Sequence, residues 1–267
     1  MKTAVFVLAR LGSTRLPRKS LAMLGSGRSI IEHLFDRLRL AKEPDLLALC
    51  TTTNRLDDEL EAVAQRNTVE CFRGHPEDLM DRCLNAARHF GVDFVVVAEG
   101  DEVFADAEFV DRLIARYRAS GADFIYFDGL PIGAYVTGVR TEALGRLCEL
   151  RIDPHSEGWT RYFTESDLFR VDRLPVNDAA VSEPAARLTM DYPEDLELIR
   201  EIYGRLYRPD AVFSLRDVMA LLRANPELLA INRHRTDTYA VHTANYPPIR
   251  LRQTLRSPMS AGTKGES

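Results

Sequence analysis

Eleven consecutive positions, Ala9-Arg10-Leu11-Gly12-Ser13-Thr14-Arg15-Leu16-Pro17-Arg18-Lys19, follow directly on the apolar run 4–8. The cations Arg10, Arg15 and Lys19, the hydroxyls of Ser13 and Thr14, and Gly12, at the mouth of a short buried strand, have the chemistry of a polyphosphate cradle. Gly12 lets the backbone approach an anion closely, and turn N–H groups, hydroxyls and fixed cations can all point at phosphate oxygens. Pro17 stiffens the exit of the loop. The pattern is neither GxxxxGK[ST] nor GxGxxG, which disfavours the common NTPase and dinucleotide sites. On chemistry alone, a surface loop with solvated charges accounts for the same residues equally well.

Two carboxylates stand where a cradle of this kind would need a metal. Asp101 ends the run Val95-Val96-Val97-Ala98-Glu99-Gly100-Asp101, with Gly100 allowing a sharp turn past a buried strand. Asp191 ends Leu188-Thr189-Met190-Asp191 and is followed by Tyr-Pro-Glu-Asp-Leu, where Pro193 suits the first turn of a helix and Glu194 and Asp195 favour its positive end. The plainer readings are a solvated turn acid for Asp101 and a helix N-cap for Asp191. Asp78 and Arg82 are i,i+4 partners, so an ordinary helical surface pair competes with any role for them in a site.

These residues need strands to carry them. Apolar β-branched runs alternate with amphipathic stretches, which points to parallel strands joined by helices. Expected strands are 4–8, 46–51, 69–72, 94–98 and 123–127; expected helices are 29–41, 57–66, 76–90 and 107–120. The unalternating 94–98 run implies burial on both faces. The result is an α/β fold, a doubly wound mostly parallel sheet with ligands at the carboxyl ends of its strands. After residue 126 the rhythm changes: Pro131, Gly133 and Gly138 interrupt β-formers, a helix is expected over 141–150, residues 159–163 read as helical, and 169–174 read as a strand. We take 129–178 as an inserted α+β lobe that covers the site and could supply a dimer contact. The chain then returns to the sheet near 188–190, with helices at 193–206 and 215–223. Residues 1–244 form the domain, and 245–267, with three prolines, are expected to be a disordered tail.

The bulk numbers exclude several classes. A chain of 267 residues with 45% apolar and 28% charged residues buries enough surface to need no disulfide or metal staple. A net charge of −5 argues against nonspecific nucleic-acid binding, and the basic cluster at the N-terminus suits a nucleotide rather than a duplex. The four cysteines form no CxxC pair and read as free thiols; the six histidines show no HExxH. No apolar run has membrane-spanning length and residues 5–9 are too short for a secretory core, so the expected setting is cytoplasmic.

The spelling of these segments resembles the cytidylyltransferases related to CMP-ketodeoxyoctonate synthetase, closest to the branch typified by spore-coat polysaccharide biosynthesis cytidylyltransferases. The opening AR-x-GSTRLP-x-K-x-L matches the loop that wraps the triphosphate of CTP in that family. EGDEVFADAEFVDRLI is similar to its TGD block, RLTMDYPEDLELIREIY to its R-x-T-V-D-T-P-E-D-L block, FRGHPEDLMDRCLNAA to its FRG segment, and SEGWTRYF to R-E-H-V-T-x-Y. The likeness spans residues 3–232 and implies a Rossmann-like nucleotidyltransferase fold. By resemblance, Arg10, Ser13, Arg15 and Lys19 hold phosphates, with Arg10, Arg15 and Lys19 as the catalytic cations. Leu8, Ala9, Arg10 and Leu11 lie near base and ribose; Gly12, Thr14, Arg73, Gly74, Asp78 and Arg82 complete the nucleotide site; and Asp101 and Asp191 bind Mg²⁺.

The implied reaction is CTP plus a small acidic acceptor, an acidic sugar or a phosphonate, giving CMP-acceptor and pyrophosphate, with Arg140, Glu157, Thr160 and Arg161 toward the acceptor and a homodimer as the assembly. Cytosine rests on the resemblance alone; guanine and uracil stay open. The chain departs from the family at Gly158, where a His is usual, at Thr137, where a Glu is usual, and at Glu102-Val103. These departures sit on the acceptor side or the lid, which points to a changed acceptor or, alternatively, to lost catalysis. A metal-dependent nucleotide-sugar glycosyltransferase and a noncatalytic nucleotide-binding subunit are the competing classes.

Overall fold

The computed structural model describes residues 1–153, 157–183 and 185–252. Its strands are β1 (Thr3–Leu8), β2 (Leu46–Thr52), β3 (Glu70–Gly74), β4 (Phe94–Glu99), β5 (Phe124–Asp128), β6 (Thr137–Arg140) and β7 (Val171–Pro175). Its helices are α1 (Ile30–Leu38), α2 (Asp58–Arg66), α3 (Leu79–Phe90), α4 (Ala107–Ser120), α5 (Thr141–Leu150), α6 (Arg161–Thr164), α7 (Pro193–Leu206), α8 (Leu215–Ala224) and α9 (Arg235–Ala244).

Alternate residues of β1 enter two different apolar layers: Val5 and Val7 face one, Ala4, Phe6 and Leu8 the other. The same division holds for β4, which is why neither strand shows a polar face. The first layer packs against α1, α2, α4, α7 and α8; the second packs against α3, α5 and α6. One seven-stranded sheet results, in the order β3-β2-β1-β4-β6-β5-β7, with β6 antiparallel to both neighbours and the other pairings parallel. The chain runs outward through β1, β2 and β3, then crosses back to β4 on the far side of β1. That reversal opens a crevice at the carboxyl ends of β1 and β4.

The expected strands and helices up to residue 127 are present, and the mostly parallel doubly wound sheet is as the pattern requires. Within the segment 129–178, expected as an inserted lobe over the site, β6 and β7 join the main sheet, and α5 and α6 cover its second layer. Gly138 makes the insertion of β6 possible, because a Cβ there would lie 2.3 Å from Phe94 Cζ of β4. Residues 188–190 form no ladder; the contact at this place is a single bridge between Arg187 and Ile132. Residues 245–252, expected in a disordered tail, are tied down by main-chain bonds from Ile152 to Arg250 (3.0 Å) and from Arg252 to Leu150 (2.7 Å). Residues 253–267 of that tail lie outside the described residues. All four cysteines are free, as expected. Among the described residues no helix is long and apolar enough to cross a membrane.

Candidate active site

The loop after β1 is held by bonds that its own sequence does not announce. The Leu11 N–H donates to Asp57 Oδ1 at 2.7 Å, and the other oxygen of this buried carboxylate accepts from the Thr52 hydroxyl. Arg18 adopts a left-handed conformation (φ 59°), donates its N–H to the Leu11 carbonyl at 3.2 Å and pairs with Glu59. Pinned at both places, the loop turns residues 12–15 toward the crevice, and the short helical turn Lys19–Leu21 brings Lys19 inward.

Lys19 is the hub. Its Nζ lies 2.6 Å from Asp101 Oδ2, 2.8 Å from the Met190 carbonyl and 3.3 Å from Asp191 Oδ1. Arg15 Nη2 donates to the same Asp191 Oδ1 at 2.7 Å. Burial alone would lower the Lys19 pKa, but the charges of Asp101 and then Asp191 outweigh it, so the ammonium titrates above its ordinary value. Burial likewise pushes Asp191 up, and Lys19 and Arg15 more than reverse this, leaving its carboxyl below the usual range.

Asp191 is aimed by Asp195. This carboxylate, 0% exposed, accepts the Asp191 N–H and the Tyr192 N–H, each at 2.9 Å, together with Arg187 and Asn232. The N-cap of α7 is therefore Tyr192, served by Asp195, and the N-cap reading of Asp191 does not hold. Asp101 is not a solvated turn acid either, since it is part-buried against Lys19.

The crevice is a cavity of about 730 Å³. Of the residues expected from the sequence, it is lined by Leu8, Ala9, Arg10, Gly12, Ser13, Thr14, Arg15, Lys19, Arg82, Asp101, Asp191, Glu157 and Thr160. Leu11, Arg73, Gly74, Asp78, Arg140 and Arg161 do not line it. Leu11 is buried beneath the loop. Arg73 spends its guanidinium on Asp58, Glu61 and the Thr52 and Asn54 carbonyls. Gly74 packs on Phe72 and Arg82, where a Cβ would fall 2.9 Å from each. Asp78 caps α3 through the Asp81 N–H and binds Arg151 at 2.8 Å, so the helical pair with Arg82, the competing reading of these two residues, does not form. Arg140 pairs with Glu142, and Arg161 with Glu165.

Arg82 is the unusual cation of the site. It is buried, donates to the His75 carbonyl at 2.7 Å, leaves its Nε without a partner, and burial holds its pKa below the ordinary value. Glu99, Glu102, Tyr126, Tyr135, Trp159, Tyr239 and Tyr246 also line the cavity, and sequence reasoning did not assign them. Glu99 and Glu102 carried a visible signal, as acids flanking Asp101 at the end of a buried strand. Burial, then the Asp101 charge, raise its pKa to about 7 against an opposing hydrogen bond from Trp159 Nε1 (3.0 Å). Burial and Asp101 likewise raise Glu102 well above the usual range.

Asp101 and Asp191 are drawn to one cation, the Lys19 ammonium, and their hard oxygens fit Mg²⁺, which takes one or two carboxylates and completes its shell with phosphate oxygens and water. Among the described residues, no group of three or more His, Cys, Asp and Glu side chains is placed to hold an ion by protein ligands alone.

The chain is similar to known proteins. A family model described as Cytidylyltransferase matches residues 4–224. The spore coat polysaccharide biosynthesis protein SpsF of Bacillus subtilis (strain 168) is 31% identical over 236 residues, covering 85% of this chain and 97% of that protein. A cytidylyltransferase structure from Leptospira borgpetersenii superposes with a TM-score of 0.77 at 26% identity, covering 86% of this chain and 97% of that one. A CMP:2-keto-3-deoxy-manno-octonic acid synthetase complexed with CTP shares the fold, with a TM-score of 0.60 at 16% identity over 78% of this chain and 100% of the other. The fold, the cradle loop and the paired aspartates thus accompany a match across most of the sequence, and the chain belongs to the cytidylyltransferase family.

Proposed function

We propose that the protein transfers CMP from CTP to a hydroxyl-bearing acceptor, with Mg²⁺ held by Asp101 and Asp191 and pyrophosphate as leaving group. The observation that carries this reading is the meeting of Lys19 with both aspartates directly beneath the cationic loop. Arg10, Arg15 and Lys19 hold the β- and γ-phosphates, keep the bond to be broken in line with the attacking oxygen, and stabilise the departing pyrophosphate. When bound, Mg²⁺ supplies charge neutralisation at the α-phosphate. Leu8, Ala9 and the partner-poor Arg82 form the part of the wall toward base and ribose.

The acceptor end narrows the expectation of an acidic acceptor. Arg140 and Arg161, expected to meet an anion there, are paired with glutamates outside the cavity. The hydroxyls of Tyr126, Thr137 and Thr160, with the carboxyl groups of Glu99 and Glu157, offer acceptors to hydroxyl groups along this wall, where Trp159 donates to Glu99. A sugar hydroxyl therefore fits better than an anionic phosphonate oxygen. A homodimer and a cytoplasmic setting, where CTP is found, complete the reading.

Pyrophosphate release with each of the four NTPs and Mg²⁺, against neutral sugars, 3-deoxy acidic sugars and phosphonates, tests the assignment. CTP-dependent release with a sugar acceptor is the expected outcome. Preference for another base, or release of a nucleoside diphosphate, would overturn it.

A further inference from the structure

The region matched by the family ends at residue 224, yet the chain continues across the site. Residues 235–252 form an arm fastened at both ends. At its start, Arg235 binds Glu194 of α7 at 2.8 and 3.0 Å, and the Arg187 guanidinium lies 4.8 Å from the Tyr239 ring centre. At its end, Arg250 and Arg252 bond the main chain at 150–152, and the Pro247 carbonyl accepts from Arg161. Between these anchors, His242 Nε2 sits 2.7 Å from Arg15 Nη1, while Nη2 of the same guanidinium is 2.7 Å from Asp191.

We propose that this arm is part of the nucleotide site and that His242 positions Arg15 for the triphosphate; the inference rests on the CTP reading above. A guanidinium only donates, so His242 Nε2 accepts and the ring carries its proton on Nδ1. The guanidinium is a rigid planar fork, and fixing one terminal nitrogen sets the direction of the other. His242 thereby points Nη2 of Arg15 at the place where the anionic groups meet, and phosphate oxygens compete with Asp191 for that donor once the nucleotide binds.

The arm also explains the departure at residue 158. Gly158 has φ +65°, and a Cβ there would lie 2.7 Å from Tyr246 Cδ2. Tyr246 stands edge-on to His242, with ring centres 5.3 Å apart, and lines the cavity. The space next to position 158 is filled here by a ring from the arm. Glycine is the residue that lets it in.

Calorimetric titration of the full chain with CTP·Mg²⁺ and, separately, with CMP tests the role of His242. No residue of α9 is buried, so His242→Ala leaves the core intact. With Arg15 no longer held in direction, about a tenfold weaker CTP affinity is expected, with unchanged CMP affinity and only a small fall in the melting temperature without nucleotide, since the contact is exposed. His242→Gln, whose amide oxygen can accept from Arg15, should restore most of the CTP affinity. In an Arg15→Ala background, His242→Ala should have no further effect. Equal CTP affinity for wild type and His242→Ala, or equal loss of CTP and CMP, would overturn the inference. Failure of the wild type to bind CTP would instead overturn the functional reading itself.

Discussion

Replacing Lys19 with Met removes the one cation shared by Asp101 and Asp191 while keeping most of the side-chain volume. The Lys19 side chain is 12% exposed and those of its partners 23% and 3%, so solvent compensates little of the loss. Breaking a buried pair by removing one partner costs about 3–5 kcal/mol. Here Asp191 keeps Arg15 and Arg187, and Asp101 reaches some water, so about 2–3 kcal/mol is expected near neutral pH. The loss should shrink in acid. In the wild type the Asp191 pKa is depressed, so its contribution is full above the unfolded value near 3.8 and disappears as pH falls through the folded value. In the variant the facing carboxylates take up protons at higher pH, which relieves their repulsion as the solution is acidified. Urea denaturation followed by the fluorescence of Trp159 should therefore show the largest difference from wild type near pH 7 and a smaller one near pH 4. Millimolar Mg²⁺ should stabilise the variant more than the wild type, and adding Asp101→Asn should recover part of the loss. A difference that is constant with pH and indifferent to both Mg²⁺ and the second substitution would refute the reasoning.

Other outcomes follow from the same geometry. Asp101→Asn should remove turnover, by at least about a hundredfold, while lowering the urea midpoint less than Lys19→Met does, because Lys19 keeps Asp191 and the Met190 carbonyl; an active variant would remove Asp101 from the site. Glu99, with its folded pKa raised from 4.5 to about 7, contributes stability below pH 4.5 that is lost as pH rises through 7. Glu99→Gln should accordingly be more stable than wild type near pH 8 and no more stable near pH 4; a larger gain in acid would contradict the burial argument. Gly138→Ala should cost about 2–3 kcal/mol or more, because its Cβ would strike the Phe94 ring, and an unchanged melting temperature would show that β6 sits further from β4. Sedimentation at twice the 30.2 kDa chain mass would support the homodimer, and a monomer at micromolar concentration would exclude it.

What could be read from the sequence was local chemistry. The cradle loop and both aspartates show themselves because cations, hydroxyls and strand-ending acids lie next to one another in the chain, and the parallel strands show themselves through unbroken apolar runs. Partner choice over long separations left no such trace. Asp78 and Arg82 have ideal helical spacing, yet Asp78 chose Arg151, because capping α3 and meeting α5 satisfies both of its oxygens. Asp57 and Asp195 hold the two functional loops through main-chain N–H groups, a role any buried acid could fill and no spacing predicts. Helix α9 has no buried residue and so no apolar stripe; its place is set by Arg235, His242 and Tyr246 reaching other elements. The antiparallel β6 is four residues long and depends on Gly138 meeting Phe94, a contact visible only once the strands are side by side.

The central claim is transfer of CMP with pyrophosphate as the other product, and parallel reactions with α- and γ-labelled CTP test it most directly. Full-length protein, Mg²⁺ and a small-molecule extract supplying hydroxylic acceptors should move the α-label into a new CMP conjugate and the γ-label into pyrophosphate in equal amounts. Both should vanish in Asp101→Asn. Appearance of the γ-label as inorganic phosphate, or of the α-label as CDP, would contradict the account.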